Sequence, residues 1–148
     1  MISDYKKYED ALDSMIELYV ENTQHLLDNG YSCTQLIPLI HSGIRQLGTT
    51  SYIMKRLRNI DFFITPRDMI DHLGLRRSSN VLAVSDNMFY NLRGHTFKHI
   101  PSNTDIFIYT DCLPKKYNVN KIASDFFYHH SHLASRGVRV RVISLGTC

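Results

Sequence analysis

Two apolar runs of strand length, joined by a helical segment, constrain the fold of this chain more than any other feature. The first run is "DIFIYTD" (residues 105–111) and the second is "VRVRVIS" (residues 138–144). Between them, the apolar side chains of residues 122–134 recur at helical spacing, and Gly137 follows as a helix end. A strand, a crossover helix and a second strand form a right-handed parallel unit. The sequence therefore predicts an α/β fold with a small parallel sheet flanked by helices.

The last of these strands has an unusual pattern, because valines and arginines alternate along it. Arg139 and Arg141 fall on one face of the strand and the valines on the other. A parallel strand that is buried on both faces is normally apolar throughout. Either this strand lies at an edge of the sheet, or its arginines meet a partner.

The preceding residues add elements of the same kind, and we assign residues 60–148 to the α/β domain. The added elements are a short strand at residues 62–64, a helix from Pro66 to Gly74 and a strand at residues 80–86 that ends in Asp86.

Residues 1–59 are predicted as an all-helical N-terminal extension. The predicted helices span residues 4–28, about 34–46, and from Thr50 or Ser51 to Arg58. The first of them has an apolar stripe of leucine, isoleucine and methionine side chains. That stripe fits core packing against the sheet, and it also fits an oligomerisation or partner surface.

Composition favours a globular protein without nucleic-acid or membrane partners. The chain has 148 residues, of which 43% are hydrophobic and 21% charged, and its net charge is +3. This balance supports a packed core, and the excess of basic residues is too small to indicate a nucleic-acid partner. No signal-peptide pattern and no apolar run of membrane-spanning length occurs in the sequence. We therefore expect a soluble intracellular protein.

The cysteine count also favours an intracellular location. The three cysteines are Cys33, Cys112 and Cys148, and no two of them lie close in sequence. An odd count without close spacing argues against a disulfide framework and fits a reducing, cytoplasmic location. It also argues against a cysteine-based zinc site.

Cys112 is the main candidate for chemistry, because it lies between a predicted strand end and a predicted helix. Ligands of open α/β sheets bind beyond the carboxyl ends of the strands. The N–H groups of a helix N-terminus, together with the charges of Lys115 and Lys116, would favour a thiolate or a bound anion there. The alternative is that Cys112 is a small buried apolar residue.

Metal sites are weaker candidates. His129 and His132 have a spacing that two ligands on one helix face could use, but exposed helix histidines explain them more simply. Asp86 and Asp111 end two predicted strands, as magnesium ligands do, but such residues also cap turns. We predict no metal and no cofactor.

The order of elements over the last ninety or so residues resembles that of the rhodanese-like family, in which a single cysteine carries sulfur as a persulfide. The motifs that resemble the family stand in this order: "ITPRDMIDHLG", "NVLAVSD", "RGHTFKHIP", "DIFIYTDC" and "LASRGVRVRVISLG". In "RGHTFKHIP", a glycine–histidine–isoleucine–proline signature is split by a small insertion. The resemblance rests on order and spacing more than on identical residues.

The resemblance implies a site and two functional hypotheses. In a working enzyme of thiosulfate sulfurtransferase type, Cys112 would be the nucleophile, Asp86 would orient its loop, and Lys115 and Lys116 would attract an anionic sulfur donor. The loop "CLPKKYN" lacks the glycine and arginine that the family usually places near its cysteine, and Asn87 follows Asp86 where an arginine is usual. The second hypothesis is therefore a catalytically inactive rhodanese-like module that binds or assembles with a protein partner.

Overall fold

The computed structural model describes residues 2–41, 48–72, 74, 80–92 and 94–147. The helices are α1 (Ile2–Asp28), α2 (Thr49–Arg56), α3 (Arg67–His72), α4 (Ile122–His129) and α5 (Ser131–Ser135). The strands are β1 (Leu39–His41), β2 (Phe62–Thr65), β3 (Val81–Ala83), β4 (Asp105–Leu113) and β5 (Arg139–Thr147).

The five strands form one parallel sheet in the order β1-β5-β4-β2-β3. β4 and β5 are the longest strands and share the longest ladder, from the pair Asp105 and Arg139 to the pair Leu113 and Thr147. The predicted α/β class, with a small parallel sheet flanked by helices, is confirmed.

Each face of the sheet carries its own core. On one face, α4, α5 and the segment after β3 bury Phe62, Ile64, Met88, Phe89, Ile106, Ile108, Phe126, Leu133, Val140 and Val142. On the other face, α1, α2 and α3 bury Leu12, Tyr52, Ile53, Phe63, Ile70, Tyr109, Ile143 and Leu145. The apolar stripe of α1 is therefore used inside the chain, as its core-packing interpretation required.

The predicted helix at about residues 34–46 is wrong for the part that the structure describes. A short 3₁₀ helix at Cys33–Gln35 is followed by β1, which pairs with β5 through Leu39 and Ile143. Residues 42–47 lie outside the described residues. Pro38 explains the error, because proline disfavours the helical conformation of the residue before it, and the β-branched Ile40 fits a strand.

The N-terminal segment is thus not all helical, and β1 forms one edge of the sheet. The predicted boundary between residues 59 and 60 stays a prediction, although the sheet and the core on the α1 face draw on residues from each side of it. Within the described parts of the chain, no helix is long and apolar enough to cross a membrane.

The single long helix predicted between β4 and β5 is interrupted at His130, which separates α4 from α5. The His130 ring is buried and its Nε2 lies 3.1 Å from the carbonyl oxygen of Phe89, which can accept a hydrogen bond from it. Burial lowers the pKa of His130. The ring therefore ties the helix break to the segment after β3.

The arginine alternation has an explanation inside the molecule. β5 lies between β1 and β4 and is not an edge strand. The guanidinium of Arg141, which is 1% exposed, donates to Thr23, Gln24 and Asp105. The interpretation as an edge strand is therefore wrong, and Arg141 is paired within the chain, with side chains of α1 and β4.

Candidate functional site

Cys112 is the second-last residue of β4. The ladder with β5 continues past it, since Asp111 pairs with Leu145 and Leu113 pairs with Thr147. The backbone of Cys112 has a φ of 60°, a left-handed conformation that costs a non-glycine residue about 1 kcal/mol. α4 begins only at Ile122, after a loop and a 3₁₀ turn. As predicted, a loop with Lys115 and Lys116 separates the strand from the helical segment, and the Asn118 side chain caps the 3₁₀ turn before α4.

The sulfur of Cys112 is in a disulfide, against the expectation from the cysteine count. Cys33 is free, and Cys148 is the one cysteine outside the described residues. Nucleophilic attack and persulfide transfer require a thiolate, so a disulfide-bonded sulfur must be reduced before it can do either. The catalytic role of Cys112 stays a prediction that holds only for the reduced protein.

The other predicted site residues lie at the surface near the same end of the sheet. Lys115 and Lys116 are exposed in the loop after β4, and neither makes an ion pair within the described ranges. Asp86 is exposed in the segment after β3. Its charge acts on Tyr117, whose pKa is raised to about 12, mainly by burial and then by Asp125 and Asp86. The roles of these three residues at Cys112 stay predictions.

A buried, hydrogen-bonded carboxyl at this end of the sheet belongs to Asp111, which the sequence marked only as a strand-end carboxylate. Its buried side chain accepts a hydrogen bond from Thr50 of α2, and its backbone carbonyl accepts one from Thr65 of β2. Gly146 makes room for this carboxyl, because a Cβ there would lie 2.7 Å from Asp111 Oδ1. Asp111 therefore fastens α2 and β2 to the end of β4.

Burial raises the pKa of Asp111, while the hydrogen bonds from Thr50 and the Cys112 N–H act in the opposite direction. A carboxyl whose pKa is raised on folding contributes stability below its unfolded pKa and loses it as the pH rises through the folded pKa.

We expect Asp111→Asn to remove this loss, because an amide does not ionise. The stability of the variant relative to the wild type should improve between about pH 4 and about pH 7. Urea unfolding followed by circular dichroism measures both proteins at both pH values. Asp10→Asn, at an exposed carboxylate of α1, is the control, and a difference that stays constant with pH would contradict the expectation.

The predicted histidine pair is not on one helix, because His129 belongs to α4 and His132 to α5. His129 instead packs edge to face against Tyr90 and Tyr128. Among the described residues, no three histidine, cysteine, aspartate or glutamate side chains form a group that could hold a metal.

A cleft at the opposite, amino-terminal end of the sheet was missed by sequence reasoning. Its volume is about 670 Å³. It is lined by residues from separate stretches of chain: Leu27, residues 31–34, Asn103, Phe127, Ala134 and residues 137–139. Sequence patterns report on neighbours along the chain, so a cleft assembled from such distant segments leaves no local signal.

Cys33 is the free thiol of this cleft. Its Sγ accepts a hydrogen bond from the N–H of Val140 over 3.3 Å. Burial raises the pKa of the thiol, so it is a poor nucleophile at neutral pH. The two described cysteines therefore lie at opposite ends of the strands. Cys112 is oxidised and Cys33 is reduced.

Comparisons with protein-family models, with curated proteins and with solved structures found no match to this chain.

Proposed function

We propose that this chain is a catalytically inactive module of rhodanese-like type that acts by binding a protein partner. The observation that carries the proposal is the setting of Cys112, whose sulfur is bonded in a disulfide and whose backbone belongs to a strand. A persulfide carrier needs a free sulfur presented by a loop whose N–H groups can stabilise an anion. The bonded sulfur of Cys112 and its place in β4 therefore support the proposal.

The loop after Cys112 supports the same proposal. Pro114 has no N–H to offer an anion, and the loop contains no arginine to bind one through two parallel hydrogen bonds. Lys115 and Lys116 supply charge from exposed positions, where solvent and salt screen it.

A surface suited to a protein partner lies at the β1 edge of the sheet. Ile37 is 76% exposed and Ile40 is 53% exposed, so two large apolar side chains face solvent beside an edge strand. Within the described residues, β1 pairs with β5 alone. Edge strands with exposed apolar side chains are sites where another chain can add a strand.

The proposal is tested by thiosulfate-to-cyanide sulfur transfer with the protein in two redox states. One sample is kept oxidised, and the other is reduced with a phosphine and then desalted so that no added thiol accepts sulfur. Cys112→Ser and Cys33→Ser are measured alongside. Cys33→Ser is the matched control, because Cys33 lies at the amino-terminal end of the sheet. We expect the rate of the reduced wild type to equal that of Cys112→Ser.

Sulfur transfer by the reduced wild type that disappears in Cys112→Ser and persists in Cys33→Ser would overturn the proposal. It would favour the second candidate, a sulfurtransferase using a Cys112 persulfide. The position of Cys112 at the carboxyl end of a central parallel strand is the observation that keeps this candidate open.

A further inference from the structure

The cleft at the amino-terminal end of the sheet has the size and lining of a small-molecule site. A volume of about 670 Å³ lies within the range of typical ligand pockets, roughly 300 to 1,000 Å³. Its walls include the apolar side chains of Leu27, Phe127, Ala134 and Val138, with Tyr31 at 48% exposure. A space of this size fits one or two rings or a short aliphatic chain rather than a folded partner.

Arg139 gives the cleft a positive charge and N–H groups that can donate further hydrogen bonds. Its Nε donates to Asp105 Oδ1 over 2.7 Å, and Asp105 also binds Arg141. No hydrogen bond involves the two terminal nitrogens of Arg139 among the residues that the structure describes. The salt bridge therefore orients the guanidinium while leaving N–H groups for a further acceptor.

Neutral polar groups stand beside this charge. Ser32 and Thr34 place hydroxyls in the lining, where their oxygens lie 3.0 Å apart. Asn103 approaches the backbone of Gly137, where a Cβ would lie 2.2 Å from its Oδ1. The glycine thus permits the close approach that brings the amide of Asn103 into the lining.

We propose that this cleft binds a small amphiphilic anion, an aromatic or short aliphatic carboxylate or sulfonate. The apolar part would pack against Leu27, Phe127 and Val138, and the anionic head would accept hydrogen bonds from Arg139. The inference does not depend on the proposed function, because the cleft lies at the amino-terminal end of the sheet and Cys112 at the carboxyl-terminal end.

Two matched dyes test both halves of the proposal. Anilinonaphthalene sulfonate has a ring system and an anionic group, and phenylnaphthylamine has the same rings without the sulfonate. Each is titrated into the folded protein and followed by fluorescence. We expect Arg139→Gln to weaken binding of the sulfonate dye about tenfold and to leave binding of the neutral dye unchanged. Equal effects on the two dyes would overturn the assignment of an anion.

The location of the dye is tested by filling the cleft. Ala134 is an exposed residue of α5 that lines the cleft, so Ala134→Trp should block it without disturbing the core. Ser135→Trp adds the same side chain at the next position of α5, outside the lining. We expect the first variant to weaken binding of both dyes by about tenfold or more and the second to bind as the wild type does.

Cys33 provides a readout that does not use fluorescence. The sulfonate dye should slow alkylation of this thiol by a maleimide, measured at Cys33 by peptide mass spectrometry, because the thiol lines the cleft. The same dye should not protect Cys33 in Ala134→Trp. Unchanged alkylation in the wild type, or binding unaffected by Ala134→Trp, would place the dye elsewhere and overturn the proposal. Neither result would bear on sulfur transfer at Cys112.

Discussion

Replacing Asp105 with alanine should lower the free energy of unfolding by about 3 kcal/mol. Asp105 is the carboxylate that neutralises Arg141, over 3.0 Å from its Nη1, and the Arg141 side chain is almost completely buried. In the variant, Thr23 and Gln24 still accept hydrogen bonds from the guanidinium, but its charge has no counterion beside it. Urea unfolding followed by far-ultraviolet circular dichroism measures the loss.

Two further variants show whether the loss comes from the buried charge. Arg139→Ala removes the other, more exposed cation that pairs with Asp105, and it should cost no more than about 1 kcal/mol. Arg141→Met in the Asp105→Ala background removes the stranded charge and should restore most of the stability. If Asp105→Ala costs no more than Arg139→Ala, Arg141 does not depend on Asp105.

The parallel sheet could be predicted because the sequence signals of its three central strands are local. The runs that became β2, β4 and β5 are apolar or alternating, and Gly137 marks the turn before β5. The strand predicted at residues 80–86 is shorter in the structure, since β3 ends at Ala83 before Asp86 is reached.

The edge strand and the helix break could not be predicted, because tertiary contacts decide both. β1 has three residues, too few for a periodic pattern. It is a strand because its backbone pairs with that of β5. His130 interrupts the helix between β4 and β5, where its buried ring meets a carbonyl oxygen from a different segment. Neither contact is visible in the neighbouring sequence.

The candidate site was only partly predictable for the same reason. The sequence correctly placed Asp111 and Cys112 at the end of the strand that became β4. It did not show that β4 continues beyond them or that Cys112 is disulfide-bonded. The alternation of Arg139 and Arg141 was a true signal of a polar contact, but its partners in α1 and β4 are distant in sequence.

The second large effect is expected at Phe126, where alanine should cost about 3 to 5 kcal/mol of unfolding free energy. Its buried ring contacts Phe62, Phe89 and His130, with ring centroids 5.2 to 5.4 Å apart. It therefore joins α4 to β2, to the segment after β3 and to the helix break. The truncation leaves a cavity between three elements that the sheet holds in place, so the surrounding side chains can fill it only in part.

Two control variants and the same urea titration separate this cavity from a change in helix propensity. Phe126→Leu keeps most of the volume and should cost about 1 kcal/mol, because leucine fills much of the space but loses the edge-to-face contacts. Tyr128→Ala removes an aromatic ring from the same helix, but that side chain is 82% exposed, so its cost should stay within about 0.5 kcal/mol. A loss at Phe126→Ala no larger than that at Tyr128→Ala would mean that α4 is not anchored to the sheet through this ring. A loss of the expected size, with intact α-helical signal in the folded baseline, would place the main anchor of this face at Phe126.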